Sequence, residues 1–344
     1  MNLPDSISFI SSPADGLKSV LEKLIPDKVV FLVDENTRQY CLPHFELGEN
    51  ENIIEIKSGE INKNLNTCTE IWSQLTHMGF GRKSLLVNVG GGVIGDMGGF
   101  CASTYKRGIR FINFPTTLLA MVDANIGGKL GIDFQGFKNH IGVFQDPENV
   151  LIYDGFLKTL PARELRSGFA EVIKHGLIYD RNYWETIKSG HFPDFNWQQI
   201  VEVSAKIKHE VVTEDPKEAG LRKILNFGHT LGHAIETWYL NNQISLLHGE
   251  AIAVGMILEG HLAMQLGNLQ ESELTEITSY IQKIYDQISL PDFAELVPLM
   301  LQDKKNIGNE LSFSLLNGIG GCLYDQKVDE NMIHEAMNFY SNLK

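Results

Sequence analysis

The chain has 344 residues and a formal net charge of −14, and 43% of its residues are hydrophobic and 21% charged. This is the composition of an ordinary globular protein, and at roughly 150 residues per domain its length predicts about two domains. The acidic charge argues against a nucleic-acid binder or a binder of acidic membranes, because those surfaces attract lysine and arginine.

Three further observations predict a cytoplasmic protein that does not enter a membrane. The four cysteines are scattered and form no C-x-x-C pair, which is typical of free thiols in a reducing compartment. No apolar run reaches the roughly 18 residues that a membrane span needs, and the amino terminus lacks a secretory signal pattern.

The first half of the chain alternates short apolar runs with helical patterns. Buried strands are predicted at 28–34, 83–89, 109–115 and 149–154, and helices are predicted at 12–25 and 69–80. Alternation of this kind predicts a parallel sheet covered by helices. We therefore expect residues 1–160 to form a Rossmann-like α/β domain.

The pattern changes around Leu160-Pro161, because a proline suits the first turn of a helix and disfavours helical geometry in the residue before it. Long segments with helical spacing follow, at 162–179, 197–212, 231–240, 249–267 and 271–285. Residues 161–344 are therefore predicted to form an α-helical domain.

A glycine cluster, "NVGGGVIGDMGGF" (88–100), follows a predicted strand. Glycine lets backbone N–H groups approach a phosphate closely, although the cluster could equally be a tight strand-to-helix turn. Polar residues end two other strands, Asp34 and Asn36 after one and Thr116 and Thr117 after another. Ligands of open α/β sheets bind beyond the carboxyl ends of strands. The glycine cluster and the two pairs of polar residues follow three such strand ends, so they favour a nucleotide-binding site.

Cationic and amide groups are concentrated in three segments. They are Arg107, Lys129, Lys138, Asn139, Lys304 and Lys305. Each could be solvated surface charge, but "GGK" (127–129) and "KN" (138–139) lie close together and indicate a phosphate or carboxylate site.

A metal site is suggested by acidic and histidine residues in the second half. Glu171 and Lys174 share one face of a predicted helix, His229 and His233 share another, and His248 precedes a third helix. A catalytic zinc takes three nitrogen or oxygen ligands, which Glu171, one histidine of the 229/233 pair and His248 would supply. The spacing leaves open which histidine of the pair is a ligand, and a lone histidine is often structural.

Six motifs occur together and in one order: "GGGVIGD", "FPTTLLAMVDANIGGK", "FKNHIG", "LPARELRSGFAEVIKHG", "LNFGHTLGHAIE" and "LHGEA". In this respect the chain resembles the 3-dehydroquinate synthase family of sugar-phosphate cyclases over nearly its whole length. The resemblance implies a cytoplasmic homodimer that uses NAD and Zn²⁺ or Co²⁺. Phe137 stands where the family pattern has glycine, which puts the shape of that loop in doubt.

The resemblance also implies roles for individual residues. The metal ligands would be Glu171, His229 and His248, so that His233 faces the substrate instead. Substrate contacts would come from Lys129, Asn139, Lys174, Lys208, Arg222, Asn226, His233, one of Lys304 and Lys305 (here Lys305), and Arg107 from a partner subunit. NAD contacts would come from Asp34, Asn36, Ser58, Gly59, Glu60, Lys63, Gly92, Val93, Ile94, Gly95, Asp96, Thr116, Thr117, Asp123, Lys129, Lys138, Phe156, Leu157, Lys158 and Thr159.

The activity implied is the second step of the shikimate pathway, which leads to aromatic amino acids. The enzyme would convert 3-deoxy-D-arabino-heptulosonate 7-phosphate to 3-dehydroquinate and phosphate. Transient oxidation at C5 by NAD acidifies the neighbouring proton, phosphate is eliminated, the hydride returns, and an intramolecular aldol step closes the ring. The alternatives are a sister cyclase that makes an inosose or a valiolone, a net dehydrogenase of the glycerol type, and a non-catalytic metal- or nucleotide-binding module.

Overall fold

A computed structural model describes residues 3–48, 51–135, 137–301 and 311–343 of the chain. The chain divides into two units, residues 1–161 and 162–344. The first contains a parallel sheet with helices and the second is mostly helical, so the fold class expected from the sequence is confirmed. No described helix combines the length and the apolar character that crossing a membrane requires.

The first unit contains eight described strands and four described α-helices. In chain order they are β1 (Ile7–Phe9), α1 (Pro13–Leu24), β2 (Val29–Asp34), α2 (Glu35–Tyr40), β3 (Asn52–Ile56), α3 (Leu65–His77), β4 (Leu85–Gly90), α4 (Gly92–Thr104), β5 (Arg110–Pro115), β6 (Lys129–Phe134), β7 (Phe137–Phe144) and β8 (Asn149–Ile152). Six strands form a parallel sheet in the order β1-β8-β5-β4-β2-β3, and β6 and β7 form a separate antiparallel hairpin.

The four strands predicted from apolar runs are β2, β4, β5 and β8, which lie side by side in the middle of the sheet. Each residue of β4 is buried, as expected for a strand covered on both faces. The edge strands β1 and β3 and the hairpin of β6 and β7 were not predicted. All eight residues of β7 are exposed or half-buried, so this strand has no apolar run to reveal it.

Glycines of the 88–100 cluster bring α4 close to the sheet. A Cβ atom at Gly98 would collide with Oδ1 of Asn88 on β4 and would lie 2.8 Å from Cδ2 of Leu32 on β2. A Cβ atom at Gly99 would lie 2.6 Å from Cδ2 of Leu130. The cluster therefore has a packing role at its far end, whereas Gly92 begins the helix at the strand-to-helix turn.

The second unit is a group of helices with one small hairpin. Its elements are α5 (Ala162–Tyr179), α6 (Arg181–Ser189), α7 (Trp197–Glu214), α8 (His229–Asn241), α9 (His248–Gln265), α10 (Glu271–Gln282), α11 (Phe293–Leu301), β9 (Ser312–Leu316), β10 (Cys322–Lys327) and α12 (Glu330–Ser341). Helix α9 is buried from Ala251 to Ala263 and packs against α5, α8, α10 and α12. Its apolar sequence on all sides is typical of a central helix.

We expect the substitution Gly98→Ala to lower the free energy of unfolding by about 1–3 kcal/mol, because the added methyl group must displace the Asn88 side chain or the helix. The control is Gly260→Ala in α9, where the nearest neighbour of an added Cβ is a Leu274 methyl group at 3.3 Å. Alanine also has the higher helix propensity. Urea denaturation of both variants tests the prediction, and equal stabilities would contradict it.

Candidate metal centre and substrate site

Three side chains of the second unit converge on one point. Glu171 lies on α5, and His229 and His248 are the first residues of α8 and α9. Oε1 of Glu171 lies 3.4 Å from Nε2 of His229 and 3.5 Å from Nε2 of His248. Two ligands of a tetrahedral zinc are about 3.3 Å apart, since each bond is about 2.0–2.1 Å long. The carboxylate oxygen therefore lies at ligand spacing from each of the two ring nitrogens.

Hydrogen bonds on the far side of each ring indicate where its proton lies. Nδ1 of His229 is 3.0 Å from the carbonyl oxygen of Phe227, and Nδ1 of His248 is 3.4 Å from Oε2 of Glu236. A carbonyl and an ionised carboxylate only accept hydrogen bonds, so both Nδ1 atoms donate. In the neutral rings, both Nε2 lone pairs then point towards Glu171, which is the arrangement of metal-binding histidines with supporting acceptors.

The electrostatics of the centre favour a cation. Burial alone would lower the pKa of His248, but the carboxylates of Glu236 and Glu171 outweigh it and raise this pKa to about 9. Burial and the Lys174 ammonium group lower the pKa of His229 to about 4. Positive charge is thus favoured at one side of Glu171, and a divalent ion would supply it there.

Glu171 is buried completely and forms an ion pair with Lys174. Oε2 is in contact with Nζ of Lys174, whereas Oε1 accepts no hydrogen bond among the described residues. Buried carboxylate oxygens normally accept hydrogen bonds, so Oε1 requires another explanation. A metal ion bound at Oε1 would satisfy it, and the residues present therefore fit the metal that the sequence implied.

His233 lies one turn after His229 and is half-buried. Ring nitrogens of His229, His233 and His248 lie within 4.8 Å of one another, so a three-histidine set overlaps the Glu171 set. We prefer the Glu171 set because it includes a carboxylate, whose negative charge offsets that of the ion.

Helix α8 begins at His229 because of features in its neighbour α9. Gly228 has φ 78°, and a Cβ atom there would lie 2.7 Å from Cγ of Met256. The carboxylate of Glu259, which is completely buried, accepts hydrogen bonds from the N–H of Gly228 at 2.6 Å and from the N–H of Leu231 at 3.0 Å. Glu259 thereby satisfies N–H groups at the start of α8 and fixes the position of His229.

Cationic side chains of the second unit are unusually buried. Lys174 and Arg222 are each 1% exposed, and Lys208 on α7 is 8% exposed. The loop before Arg222 is held by Asp215, whose carboxylate accepts from the N–H groups of Gly220 at 2.7 Å and of Arg222 at 3.1 Å. Burial disfavours a charged group without polar contacts, and two of these cations have them: Lys174 pairs with Glu171, and Nη1 of Arg222 donates to the carbonyl oxygen of Pro216 at 2.8 Å.

The side chain of Asn226, a predicted substrate contact, is held by a neighbouring loop. Its amide Nδ2 donates to Oε1 of Glu218 at 2.8 Å. This contact uses an amide donor, so the contact itself leaves the acceptor capacity of the amide oxygen unused.

The predicted NAD residues of the first unit follow four adjacent strands at one edge of the sheet. Asp34 ends β2, Gly92–Asp96 follow β4, Thr116 and Thr117 follow β5, and Phe156–Thr159 follow β8. Parallel strands place their carboxyl ends together, where open α/β sheets bind nucleotides. Several of these residues also have structural roles. Asp34 caps α2 through the N–H of Thr37 at 2.7 Å, and Phe156 and Leu157 are buried.

Lys63 links residues that were predicted to contact different ligands. Its buried ammonium group donates to Oδ2 of Asp96 and to Oδ1 of Asn139, both at 2.6 Å. Asn139 has φ 49°, and its N–H donates to Asp133 at 2.8 Å. The predicted cofactor residues Lys63 and Asp96 therefore share a hydrogen-bond network with Asn139, which was predicted to contact the substrate.

The remaining predicted residues lie at separate places in the first unit. Lys129 begins β6 and is exposed, and Asp123 is half-buried in the turn at 120–124. Arg107 is exposed with φ 68° in the short turn after α4. Others lie in or beside the segment 58–63. Oγ of Ser58 donates a hydrogen bond to Oε1 of Glu35 at 2.6 Å, and Gly59 has φ 99°. Nζ of Lys138 is 3.9 Å from Oε1 of Glu60. Lys304 and Lys305 lie outside the described residues.

Two acidic residues that hold the histidines were not predicted. Glu236 ends the quoted motif "LNFGHTLGHAIE" and lies two turns after His229, so its helix position was a usable signal. Glu259 is the only acid in the apolar stretch "AIAVGMILEGHLAM", and an acid in a central helix usually has a buried partner. Their partners are too distant in sequence to be identified from spacing.

Solved structures of sugar-phosphate cyclases share this fold. The 2-epi-5-epi-valiolone synthase from Streptomyces hygroscopicus, solved with NAD⁺ and Zn²⁺, is 24% identical with a TM-score of 0.87 over 99% of this chain and 98% of that one. A 2-deoxy-scyllo-inosose synthase, solved with carbaglucose-6-phosphate, NAD⁺ and Co²⁺, is 26% identical with a TM-score of 0.84 over 97% and 96%. The chain therefore has the fold of the sugar-phosphate cyclases.

Sequence comparisons identify the family within this class. Family models described as 3-dehydroquinate synthase N-terminal and C-terminal match residues 53–167 and 168–306. The 3-dehydroquinate synthase of Parabacteroides distasonis is 40% identical over 332 residues, which cover 94% of each chain. The chain belongs to the 3-dehydroquinate synthase family, and the resemblance inferred from its motifs is confirmed.

We predict that His229→Ala and His248→Ala each lower the affinity for zinc by at least about 100-fold, whereas His233→Ala retains bound zinc. A lost ligand should cost more than the 10–100-fold typical of a residue that only supports a ligand. Metal content after dialysis and competition with a chelator would measure this. Equal zinc loss in all three variants would favour the three-histidine set.

Proposed function

We propose that this chain is a phosphate-eliminating cyclase that converts 3-deoxy-D-arabino-heptulosonate 7-phosphate to 3-dehydroquinate and phosphate. It would use NAD and a divalent metal, Zn²⁺ or Co²⁺, and return the hydride within each catalytic cycle. The observation that carries the proposal is the convergence of Glu171, His229 and His248 at ligand spacing in a member of this family.

The metal would be held by Oε1 of Glu171 and by Nε2 of His229 and of His248. When bound, it would act as a Lewis acid and make a coordinated hydroxyl group easier to ionise. Three protein ligands leave room for the substrate, as in catalytic rather than structural zinc sites. Phe227 and Glu236 hold the two rings in the tautomer that presents Nε2.

NAD would be bound at the carboxyl edge of the parallel sheet, where it accepts a hydride from the substrate and later returns it. Gly92–Asp96 begin α4, whose first backbone N–H groups suit a pyrophosphate. Asp34, Asn36, Ser58, Gly59, Glu60, Thr116, Thr117, Asp123, Lys138 and Phe156–Thr159 would complete the cofactor contacts.

The chain's own cations would hold the anionic substrate. Lys174, Lys208, Arg222 and Asn226 would bind its carboxylate and hydroxyl groups, and the low exposure of the three cations would strengthen each contact. Lys129, Asn139, His233 and Lys305 would bind the phosphate end. The substrate phosphate would accept the proton removed before elimination, while the lysines and His233 stabilise the charge that develops.

The enzyme would act as a cytoplasmic homodimer in the shikimate pathway. Arg107 would reach the phosphate site of the partner subunit, and its exposed side chain on a backbone with φ 68° is compatible with a functional role. The described cysteines Cys41, Cys68, Cys101 and Cys322 are all free thiols, as a reducing compartment requires.

A sister cyclase is the second candidate because the valiolone and inosose synthases share the fold so closely. Sequence identity separates the two candidates. It is 40% to the 3-dehydroquinate synthase of Parabacteroides distasonis but only 24% and 26% to the two sister cyclases. We therefore propose the dehydroquinate branch.

Purified protein supplied with NAD and zinc should release phosphate from 3-deoxy-D-arabino-heptulosonate 7-phosphate without accumulation of NADH. Omission of either cofactor after chelation and dialysis should remove the activity. Sedoheptulose 7-phosphate is the matched alternative substrate, and faster release from it would indicate a sister cyclase. Stoichiometric NADH formation would instead indicate a net dehydrogenase.

We further expect Lys129→Ala to lower kcat by roughly 100- to 1,000-fold, which is typical for the loss of one group that stabilises developing charge. Its zinc content should be unchanged, because Lys129 lies on β6 of the first unit and is not a proposed ligand. Lys18→Ala on α1, another exposed lysine, is the control for the loss of surface charge. Loss of zinc in the Lys129 variant would contradict its assignment to the phosphate end.

A further inference from the structure

The turn that begins α9 is fixed by Glu250, two residues after the proposed ligand His248. Oε2 of Glu250 accepts a hydrogen bond from the N–H of Leu247 at 2.9 Å. This contact closes the first turn of the helix, because a side chain at its third position caps the residue before the helix. The conformation of Glu250 therefore fixes the backbone at His248, where the preceding loop joins the helix.

Arg163, in the first turn of α5, binds Glu250 with both sides of its guanidinium group. Nε donates to Oε1 and Nη2 donates to Oε2, both at 2.7 Å. The same group donates to the side chain and to the carbonyl oxygen of Ser245, both at 3.0 Å. One arginine thus binds both ends of the segment 245–250, and its bidentate geometry restricts orientation as well as distance.

A second contact joins the same helices beside the histidine. The N–H of Gly249 donates to Oγ of Ser167 on α5 at 3.0 Å, and the contact is buried. A Cβ atom at position 249 would collide with the carbonyl oxygen of Ser167, so only glycine permits this approach. Ser167 lies one helical turn before Glu171. The contact therefore lies one turn from one proposed ligand and one residue from the other.

We propose that Arg163, Ser167 and Glu250 form a clasp that positions His248 relative to Glu171 for metal binding. The inference rests on the metal site of the proposed function and adds residues that do not touch the ion. Helix α5 carries Glu171 together with both contacts to the start of α9. The clasp therefore sets the 3.5 Å separation between Oε1 of Glu171 and Nε2 of His248.

An ordinary surface ion pair would have no such effect, since exposed pairs contribute little to structure. The side chain of Arg163 is indeed 44% exposed, but that of Glu250 is only 12% exposed. Arg166 adds a further contact, with Nη2 3.5 Å from Oε1 of Glu250. Loss of one partner would leave a largely buried carboxylate with fewer donors at the point where it caps the helix.

The start of α10 offers a matched control in the same unit. Oε2 of Glu273 accepts from the N–H of Gln270 at 3.3 Å, and Oε1 lies 3.2 Å from Nη1 of Arg181. This is again an arginine bound to a helix-capping glutamate, with side-chain exposures of 57% and 16%. No proposed ligand lies on α10, so loss of the Arg181–Glu273 pair should perturb a helix start without affecting the metal.

The test compares the affinity for Zn²⁺, measured by chelator competition, in Arg163→Ala, Glu250→Gln and the two control variants Arg181→Ala and Glu273→Gln. We expect the clasp variants to bind zinc roughly 10- to 100-fold more weakly, the range for residues that orient metal ligands. The control variants should stay within about threefold of the parent. Glutamine at 250 retains an oxygen for the N–H of Leu247 and therefore keeps the helix cap.

Two further measurements separate positioning from general destabilisation. The Tm of the metal-free protein should fall by similar amounts in clasp and control variants, and the visible spectrum of bound Co²⁺ should change only in the clasp variants. Unchanged zinc affinity in folded Glu250→Gln and Arg163→Ala would overturn the clasp, as would equal losses in the controls. If Arg163→Ala does not fold, Arg163→Lys, which keeps the charge but loses the bidentate contact, takes its place.

The clasp and the proposed function can fail separately. If the parent binds zinc and loses it in His248→Ala but releases no phosphate from the heptulosonate substrate, the reaction is wrong while the clasp can still be tested. If the parent is active and the clasp variants bind zinc normally, the reaction stands and the clasp is wrong.

Discussion

The approach of two imidazole nitrogens to one buried carboxylate oxygen is the constraint on which the second unit depends. The carboxylate oxygen lies 3.4 and 3.5 Å from the two ring nitrogens, and such electron-rich atoms repel one another unless a positive charge lies among them. A proton on His248 can supply that charge, as its raised pKa indicates, and a divalent ion can supply more of it. The geometry therefore favours a cationic form, which supports the proposal that Glu171, His229 and His248 hold a metal ion.

The two histidines keep these positions only if α8 and α9 begin at defined residues. His229 and His248 both occupy the first position of a helix, where the backbone is otherwise prone to fray because its N–H groups lack partners. A glutamate supplies an acceptor in each case, Glu259 for α8 and Glu250 for α9. Both carboxylates lie on α9. Gly228 allows close contact with α9, and Gly249 allows close contact with α5. The glutamate carboxylates and the two glycines therefore act together to position the imidazole rings of His229 and His248.

Apolar periodicity was sufficient to predict the four central strands and α5, α7, α9 and α10, because burial imposes a pattern that local sequence must follow. It failed for β1, which has three residues, and for β7, whose side chains are exposed or half-buried. The proposed ligands could be selected from the sequence because they are histidines and a glutamate in recognisable motifs. The roles of Glu259 and Arg163 could not be predicted from spacing. Glu259 accepts hydrogen bonds from residues 28 and 31 positions away in the sequence, and Arg163 binds a residue 87 positions away, so these contacts are visible only in the folded chain.

The net charge of −14 bears on the burial of the cations that are proposed to bind the substrate. An acidic protein repels an anionic substrate at long range, so affinity must come from contacts made after entry rather than from attraction in solution. In the proposed function, Lys174, Lys208 and Arg222 would supply such contacts, because charges in a low-dielectric surrounding interact more strongly than charges in water. Their burial would be destabilising alone, and Glu171 offsets part of it through Lys174. In the proposed function, Glu171 would bind the metal ion while it pairs with the substrate-binding Lys174, so this one residue would couple the positions of metal and substrate.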